Sequence, residues 1–196
     1  MPRTPKAALA SLEQLIIHRR LRGSGIMVAR SVRLVGMPIM RAFPGSTIEV
    51  GERAELVSSP SRATMVLNHP CMVQTYRAGA RIEISSDVGM SGATICSTIG
   101  IAIGARTMLG ANVTVLDTNF HPLAAEGRRY APIPEPNPED AVVIGDDVFI
   151  GAGAFVLPGA RIGAGSVVAA AAVVKGEVPP GVVVAGNPAR VVKDLR

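Results

Sequence analysis

The sequence holds three histidines, and one of them stands in a setting suited to proton transfer. In LDTNFHP, His121 follows Asp117 by four residues and Asn119 by two, with Pro122 directly after it. Imidazole has an unperturbed pKa of about 6.5, so it takes a proton from a hydroxyl or amine near neutral pH. A carboxylate or carbonyl oxygen on its second ring nitrogen fixes the tautomer, and Asp117 and the Asn119 side chain are the nearest candidates in sequence. On the residues alone, a histidine closing a surface turn fits this stretch as well. His69, in LNHP, reads as a turn residue, and His18, among bases, as structural or solvent-facing. Cys71 and Cys96 form no CxxC and match no metal-ligand spacing.

The scaffold that would position His121 is legible on both sides of it. Ile144, Ile150, Val156, Ile162, Val168 and Val174 recur at a spacing of six, and Val148, Ala154, Ala160, Ser166, Ala172 and Val178 follow them four residues later. The same frame returns upstream at Ile103, Leu109 and Val115, at Ile84, Met90 and Cys96, and more loosely at Val50 and Leu56. Cys96 therefore reads as an inward core residue. A period of six suits neither a helix nor a simple alternating ladder; it suits a short strand and a tight turn, repeated. Three such units close a coil of about 18 residues, and stacked coils form a parallel β-helix. Ile144 falls 29 residues after Val115, which is not a multiple of six, and Pro122, Pro132, Pro134, Pro136 and Pro138 lie between them. That segment cannot thread the prism and must loop outward, carrying His121 with it.

The run IGDDVFIGAGAFVLPGARIGAGSVVAAAAVVKGEVPPGVVVAGNPARVVK resembles the C-terminal half of the hexapeptide-repeat acyltransferases, the group that includes maltose and galactoside O-acetyltransferases. LDTNFHPL, LNHP and VGMSGATIC resemble the branch that modifies polysaccharides and lipopolysaccharides, and the likeness spans about residues 46–193. The resemblance implies an all-β, left-handed parallel β-helix, a homotrimer, and acetyl-CoA as donor to a sugar or glycan hydroxyl. It gives His121 the role of general base in direct transfer. It also places Gly151-Ala152 and Ala169-Ala170 along the pantetheine arm, and Lys175 and Arg190 at the CoA phosphates. The family's sugar enzymes commonly carry an asparagine near the acceptor; here Met90-Ser91 stands instead, so Ser91 and His69 are the candidate acceptor contacts. An N-acetyltransferase acting on an amino sugar and a catalytically silent β-helix scaffold are the competing readings. A γ-type carbonic anhydrase needs three histidine ligands, two closely spaced; His18, His69 and His121 do not provide them.

Composition fits a repeat architecture: 48% of residues are hydrophobic but only 3% aromatic, with 21 glycines, 15 prolines and no tryptophan. The net charge of +5 is unevenly held. Residues 1–41 carry eight bases against Glu13, net +7, while the rest carry 12 bases against 14 acids, net −2. Without aromatic residues among these bases, nucleic acid is not an expected partner, whereas peripheral contact with a membrane is open. KAALASLEQLIIHRRLR reads as a short amphipathic helix with Leu9, Leu12, Leu15, Ile16 and Ile17 on one side. The expected divisions are a basic segment over 1–45, a β-helix over 46–180 with a loop at about 117–141, and a tail over 181–196. No signal peptide or membrane span is evident, so the expected location is the cytoplasm.

Overall fold

A computed structural model of the chain describes residues 5–21 and 25–196. Helix α1 (Pro5–Leu21) precedes a first rung of β1 (Ile26–Val28), β2 (Arg33–Val35) and β3 (Ile39–Arg41). The second rung is β4 (Thr47–Val50), β5 (Glu55–Val57) and β6 (Met72–Thr75); the third is β7 (Arg81–Ile84), β8 (Gly89–Ser91) and β9 (Thr94–Ser97). The fourth is β10 (Gly100–Ile103), β11 (Met108–Leu109) and β12 (Thr114–Leu116). After the excursion over 117–141 the fifth rung follows as β13 (Val142–Ile144), β14 (Phe149–Ile150) and β15 (Phe155–Val156). The sixth is β16 (Arg161–Ile162), β17 (Val167–Val168) and β18 (Val173–Val174). The last rung has β19 (Glu177–Val178) and β20 (Val182–Ala185), and β21 (Arg190–Asp194) folds back antiparallel on β20.

Every third strand pairs in parallel, giving three faces: β1-β4-β7-β10-β13-β16-β19, then β2-β5-β8-β11-β14-β17-β20-β21, then β3-β6-β9-β12-β15-β18. We call these faces A, B and C. Together they form the left-handed parallel β-helix expected from the sequence.

The recurring aliphatics are its interior. Val50, Ile84, Ile103, Ile144, Ile162 and Val178 stack along face A; Leu34, Leu56, Met90, Leu109, Ile150 and Val168 along face B; Met40, Val73, Ile95, Val115, Val156 and Val174 along face C, all buried. Burying one such side chain contributes about 1.5–3 kcal/mol, so the prism is held by many equal increments. At the corner from face A to face B, Arg53, Asp87, Arg106 and Asp147 take positive φ in successive rungs. Their exposed side chains pair Arg53 with Asp87 and Arg106 with Asp147, and these partners hold both carboxyls below the usual aspartate range.

Three expectations are corrected. The β-helix starts at Ile26 rather than near residue 46, because Val28, Leu34 and Met40 already carry the six-residue spacing. Cys96 is not an interior residue: Ile95 points into the prism, while Cys96 is buried on the outer side of face C against the Tyr76 hydroxyl. Burial is what pushes its thiol pKa up. On α1, Ile17 and Leu21 close the end of the prism, whereas Leu12, Leu15 and Ile16 face away, so Ile17 does not share their side. The Leu9 side chain and the side chains of Arg3, Lys6 and Arg22 lie outside the described residues.

Candidate active site

The excursion over 117–141 leaves at the corner from face C to face A, and its first residues are shaped by two separate constraints. Asp117 is fully buried, and its carboxylate accepts five hydrogen bonds from the turn one rung earlier. The donors are Ser97 Oγ at 2.6 Å, Thr98 N at 2.6 Å, Thr98 Oγ1 at 3.1 Å, Ile99 N at 3.0 Å and Gly100 N at 2.8 Å. This is a backbone nest for an anion. The carboxylate expected to orient His121 is thus committed to closing the 97–100 turn, and its service to the imidazole is not what the structure records.

Beyond it the chain turns sharply. His121 N donates to Asn119 O at 2.7 Å across Phe120, whose φ is +59°. A three-residue turn centred on a bulky residue at positive φ is a strained conformation that its surroundings must hold. What holds it is Tyr76: the Phe120 ring meets the Tyr76 ring edge-on, with centroids 5.2 Å apart and planes at 83°. Phe120 N also donates to Thr118 Oγ1 at 3.2 Å. The Tyr76 hydroxyl donates to Gln74 Oε1 at 2.8 Å, and burial pushes its pKa up to about 12. The result leaves His121 and Asn119 exposed next to a fixed Phe120.

The neighbouring Arg77 holds the returning limb. Its guanidinium donates to Ile133 O at 2.7 Å and Pro134 O at 3.1 Å, and pairs with Glu135 at 2.7 Å. Re-entry is closed by Gly159 N donating to Asp140 O at 2.8 Å, next to the turn that Asn137 caps. Tyr76 and Arg77 are therefore adjacent residues that clamp both limbs of one loop. Neither is conspicuous in the sequence, since their partners lie 44 and 56–58 residues away.

The remaining predicted residues gather at a different corner, from face B to face C. Gly151-Ala152 and Ala169-Ala170 stack there in successive rungs, with Gly151 N donating to Val168 O at 2.7 Å and Ala171 N to Ala152 O at 2.9 Å. A Cβ on Gly151 would lie 2.8 Å from Ala170 Cα, so the next rung itself requires glycine at this position. Ala152 and Ala169 are half-buried and Ala170 is exposed, which leaves a shallow small-residue edge. Ser91, half-buried, lies lower on the same corner at the end of β8. There the 58–71 insertion is pinned by Asn112, which accepts from Asn68 N at 2.9 Å and donates to Val66 O at 2.9 Å.

His69 is the last turn of that insertion. Its Nδ1 is 2.8 Å from Pro70 O, which can only accept, so Nδ1 carries the proton and Nε2 accepts from Thr94 Oγ1 at 3.3 Å. Both ring nitrogens are thus spent locally. Arg190 is exposed beyond the cis Asn187–Pro188 bond, and Ala189 N donates to Val173 O at 2.8 Å at the start of β18. Lys175, exposed, follows the other end of β18. One chain therefore holds His121, Asn119 and Lys175 at one edge of face C and Gly151, Ala152, Ala169, Ala170, Arg190, Ser91 and His69 at the other.

No group of three or more His, Cys, Asp or Glu suited to a metal ion occurs among the described residues. No helix among them is long and apolar enough to cross a membrane.

Fold and repeat together define a parallel β-helix built from six-residue units. The family model described as bacterial transferase hexapeptide (six repeats) matches residues 141–176. No curated protein matches the chain. Among solved structures, a hexapeptide-repeat containing acetyltransferase from Vibrio cholerae O1 biovar eltor, complexed with acetyl coenzyme A, is 27% identical with a TM-score of 0.50, over 95% of this chain and 78% of that one. A maltose O-acetyltransferase from Clostridium difficile 630 is 23% identical with a TM-score of 0.54, over 96% and 86% of the two chains. An N-acyltransferase from Bacillus cereus, in complex with dTDP-4-amino-4,6-dideoxyglucose and coenzyme A, is 15% identical with a TM-score of 0.55, over 91% and 89%. The last two bear on the fold alone.

Proposed function

We propose that the protein transfers an acetyl group from acetyl-CoA to a hydroxyl of a sugar or glycan precursor, with His121 as general base. The observation that carries this is the presentation of His121: an exposed imidazole behind a strained turn, on a loop clamped at both limbs by Tyr76 and Arg77. A loop held so firmly for an exposed histidine is built for a positioned proton transfer, which contributes roughly 10²–10⁴-fold. The likeness to the acetyl-CoA complex from Vibrio cholerae supports the donor.

Gly151, Ala152, Ala169 and Ala170 offer a low edge along which a pantetheine arm could lie, and Arg190 and Lys175 offer cations for its phosphates. When bound, the donor supplies a thioester carbonyl open to attack. His121 takes the acceptor's proton at its unprotonated ring nitrogen as the acceptor oxygen adds to that carbonyl, then returns the proton to the departing sulfur. Because the donor edge and His121 flank face C from opposite sides, a second copy seated on face C would bring one chain's histidine to the other's groove. Face C suits this. Its outward row Ile39, Met72, Thr94, Thr114, Phe155 and Val173 carries no charge and the second row adds Arg41 at the first rung, whereas the outward row of face A includes Glu49, Glu83, Arg161 and Glu177. A homotrimer closes this arrangement with each site shared between neighbours. A cytoplasmic location agrees with the donor.

The test is calorimetry with acetyl-CoA on the wild type and on His121→Ala, followed by thiol release with hydroxyl and amino sugars. Both proteins are expected to bind the donor, and only the wild type to turn over, with a loss of roughly 10²–10⁴-fold in the variant. Failure of both to bind acetyl-CoA overturns the reading in favour of a silent scaffold. Turnover confined to amino sugars moves the acceptor from hydroxyl to amine and leaves the base in place.

A further inference from the structure

Helix α1 packs on a mixed face, in which polar side chains join Ile17 and Leu21 against the protein. Its polar side chains face the protein: Gln14 accepts from Leu34 N at 2.8 Å and donates to Leu34 O, and His18 Nε2 lies 3.0 Å from Val32 O. Glu13 takes both arms of Arg62, at 2.8 and 2.6 Å. The reason is the first rung, which has no preceding strand among the described residues and so presents backbone groups that Gln14 and His18 satisfy. With that side turned inward, Leu12, Leu15 and Ile16 are left outside. Leu12 is 53% exposed, Leu15 66% and Ile16 44%, and Met37, 37% exposed, shares a cleft with Leu12 and Ile16. Arg19 and Arg20, both exposed, continue the same side one turn on.

We propose that this face docks on an anionic lipid surface, with Leu12, Leu15, Ile16 and Met37 entering the acyl boundary and Arg19 and Arg20 meeting the headgroups. Charge selects this occupant. In sequence, residues 1–41 are net +7 and the remainder net −2, and among the described side chains Arg19, Arg20 and Arg30 are exposed on the helix and the first rung that it caps. A second copy fits poorly, because Glu13, the one acid of α1, is already paired with Arg62 and leaves the helix no carboxylate to meet a partner's Arg19 and Arg20. An apolar stripe flanked by arginines is the composition of helices that lie in the interface plane. The inference is independent of acetyl transfer, since α1 caps the first rung, whereas the His121 loop leaves the chain between the fourth and fifth.

The chain has no tryptophan, so Leu15→Trp in the full-length protein supplies a single indole on this face. Its emission is expected to shift to the blue with vesicles of phosphatidylcholine and phosphatidylglycerol, and to stay unchanged with phosphatidylcholine alone. In flotation with the mixed vesicles, replacing Leu12, Leu15 and Ile16 by Ser, or Arg19 and Arg20 by Glu, is expected to lower partitioning about tenfold or more each. Met108→Ser, an exposed apolar residue on face B, leaves it unchanged. All these positions are exposed, and thermal melting verifies that the variants fold. The proposal is overturned if the wild type ignores the mixed vesicles, or if the Ser variant floats as well as the wild type. It is overturned equally if that variant changes the oligomeric mass in light scattering while the wild type ignores lipid, which makes the face a contact between copies.

Discussion

The two corners that border face C obey different rules. At the corner entering it, Gly110, Gly151 and Ala169 lie in successive rungs whose backbones touch, and residue choice is dictated by how closely the chain passes itself. At the corner leaving it, the rungs are held by side chains: Asp117 fills a nest, Phe120 rests on Tyr76, and Arg77 reaches to Ile133 and Pro134. In its upper rungs the first corner is closed because the next rung's backbone stands where a larger residue would go, and lower down, where it opens into the 58–71 insertion, Asn112 is the tether. The second can open into a loop because tethers replace the missing backbone ladder. A repeat protein acquires a site where it exchanges ladder for tethers.

Asp117→Ala tests that contrast hardest. Removing the buried acceptor strands the Thr98, Ile99 and Gly100 N–H groups, and a loss of about 3–5 kcal/mol in urea unfolding is expected. If stability holds and only catalysis falls, the carboxylate serves His121 and the separation of roles at this corner is wrong. Next comes Gly151→Ala at the tight corner. Its Cβ would meet Ala170 backbone, which cannot rotate away, so about 2–3 kcal/mol should be lost. His121→Ala, on an exposed segment, should move the unfolding midpoint by less than about 0.5 kcal/mol.

Arg77→Ala should reach only the loop. The Glu135 partner is highly exposed and contributes little, so the loss is mainly the two carbonyl contacts, about 1 kcal/mol. Faster tryptic cleavage at Arg128 and Arg129 is the more sensitive readout. The last test is the alkaline response of Tyr76. Burial raises its pKa from 10 to about 12, so its contribution is complete below pH 10 and is lost as pH rises through 12. Tyr76→Phe should remove that part of the fall in stability, measured as the difference between the two alkaline unfolding profiles.

The sequence alone determined the prism. Six-residue spacing specifies strand and turn locally, so Ile144 through Val174 fall on the interior as read, and the break between Val115 and Ile144 marks the loop. Where a turn changes length the frame slips. Met90 is followed by its inward neighbour five residues later, at Ile95, and Cys96 lands outside. The first rung was hidden because Met40 and Val50 are ten residues apart and bases crowd the segment.

Only tertiary structure decided the partners. Asp117 is four residues from His121 in the chain but one rung above Thr98, and the nearer donors in space captured it. Tyr76 and Arg77 reach the loop because a coil returns the chain above itself about every twenty residues, a proximity that linear order conceals. The orientation of α1 was settled in the same way. Its sequence reads as an amphipathic helix with one apolar side, but the unpaired backbone of the first rung draws Gln14 and His18 inward beside Ile17 and Leu21, and Leu12, Leu15 and Ile16 are left outside.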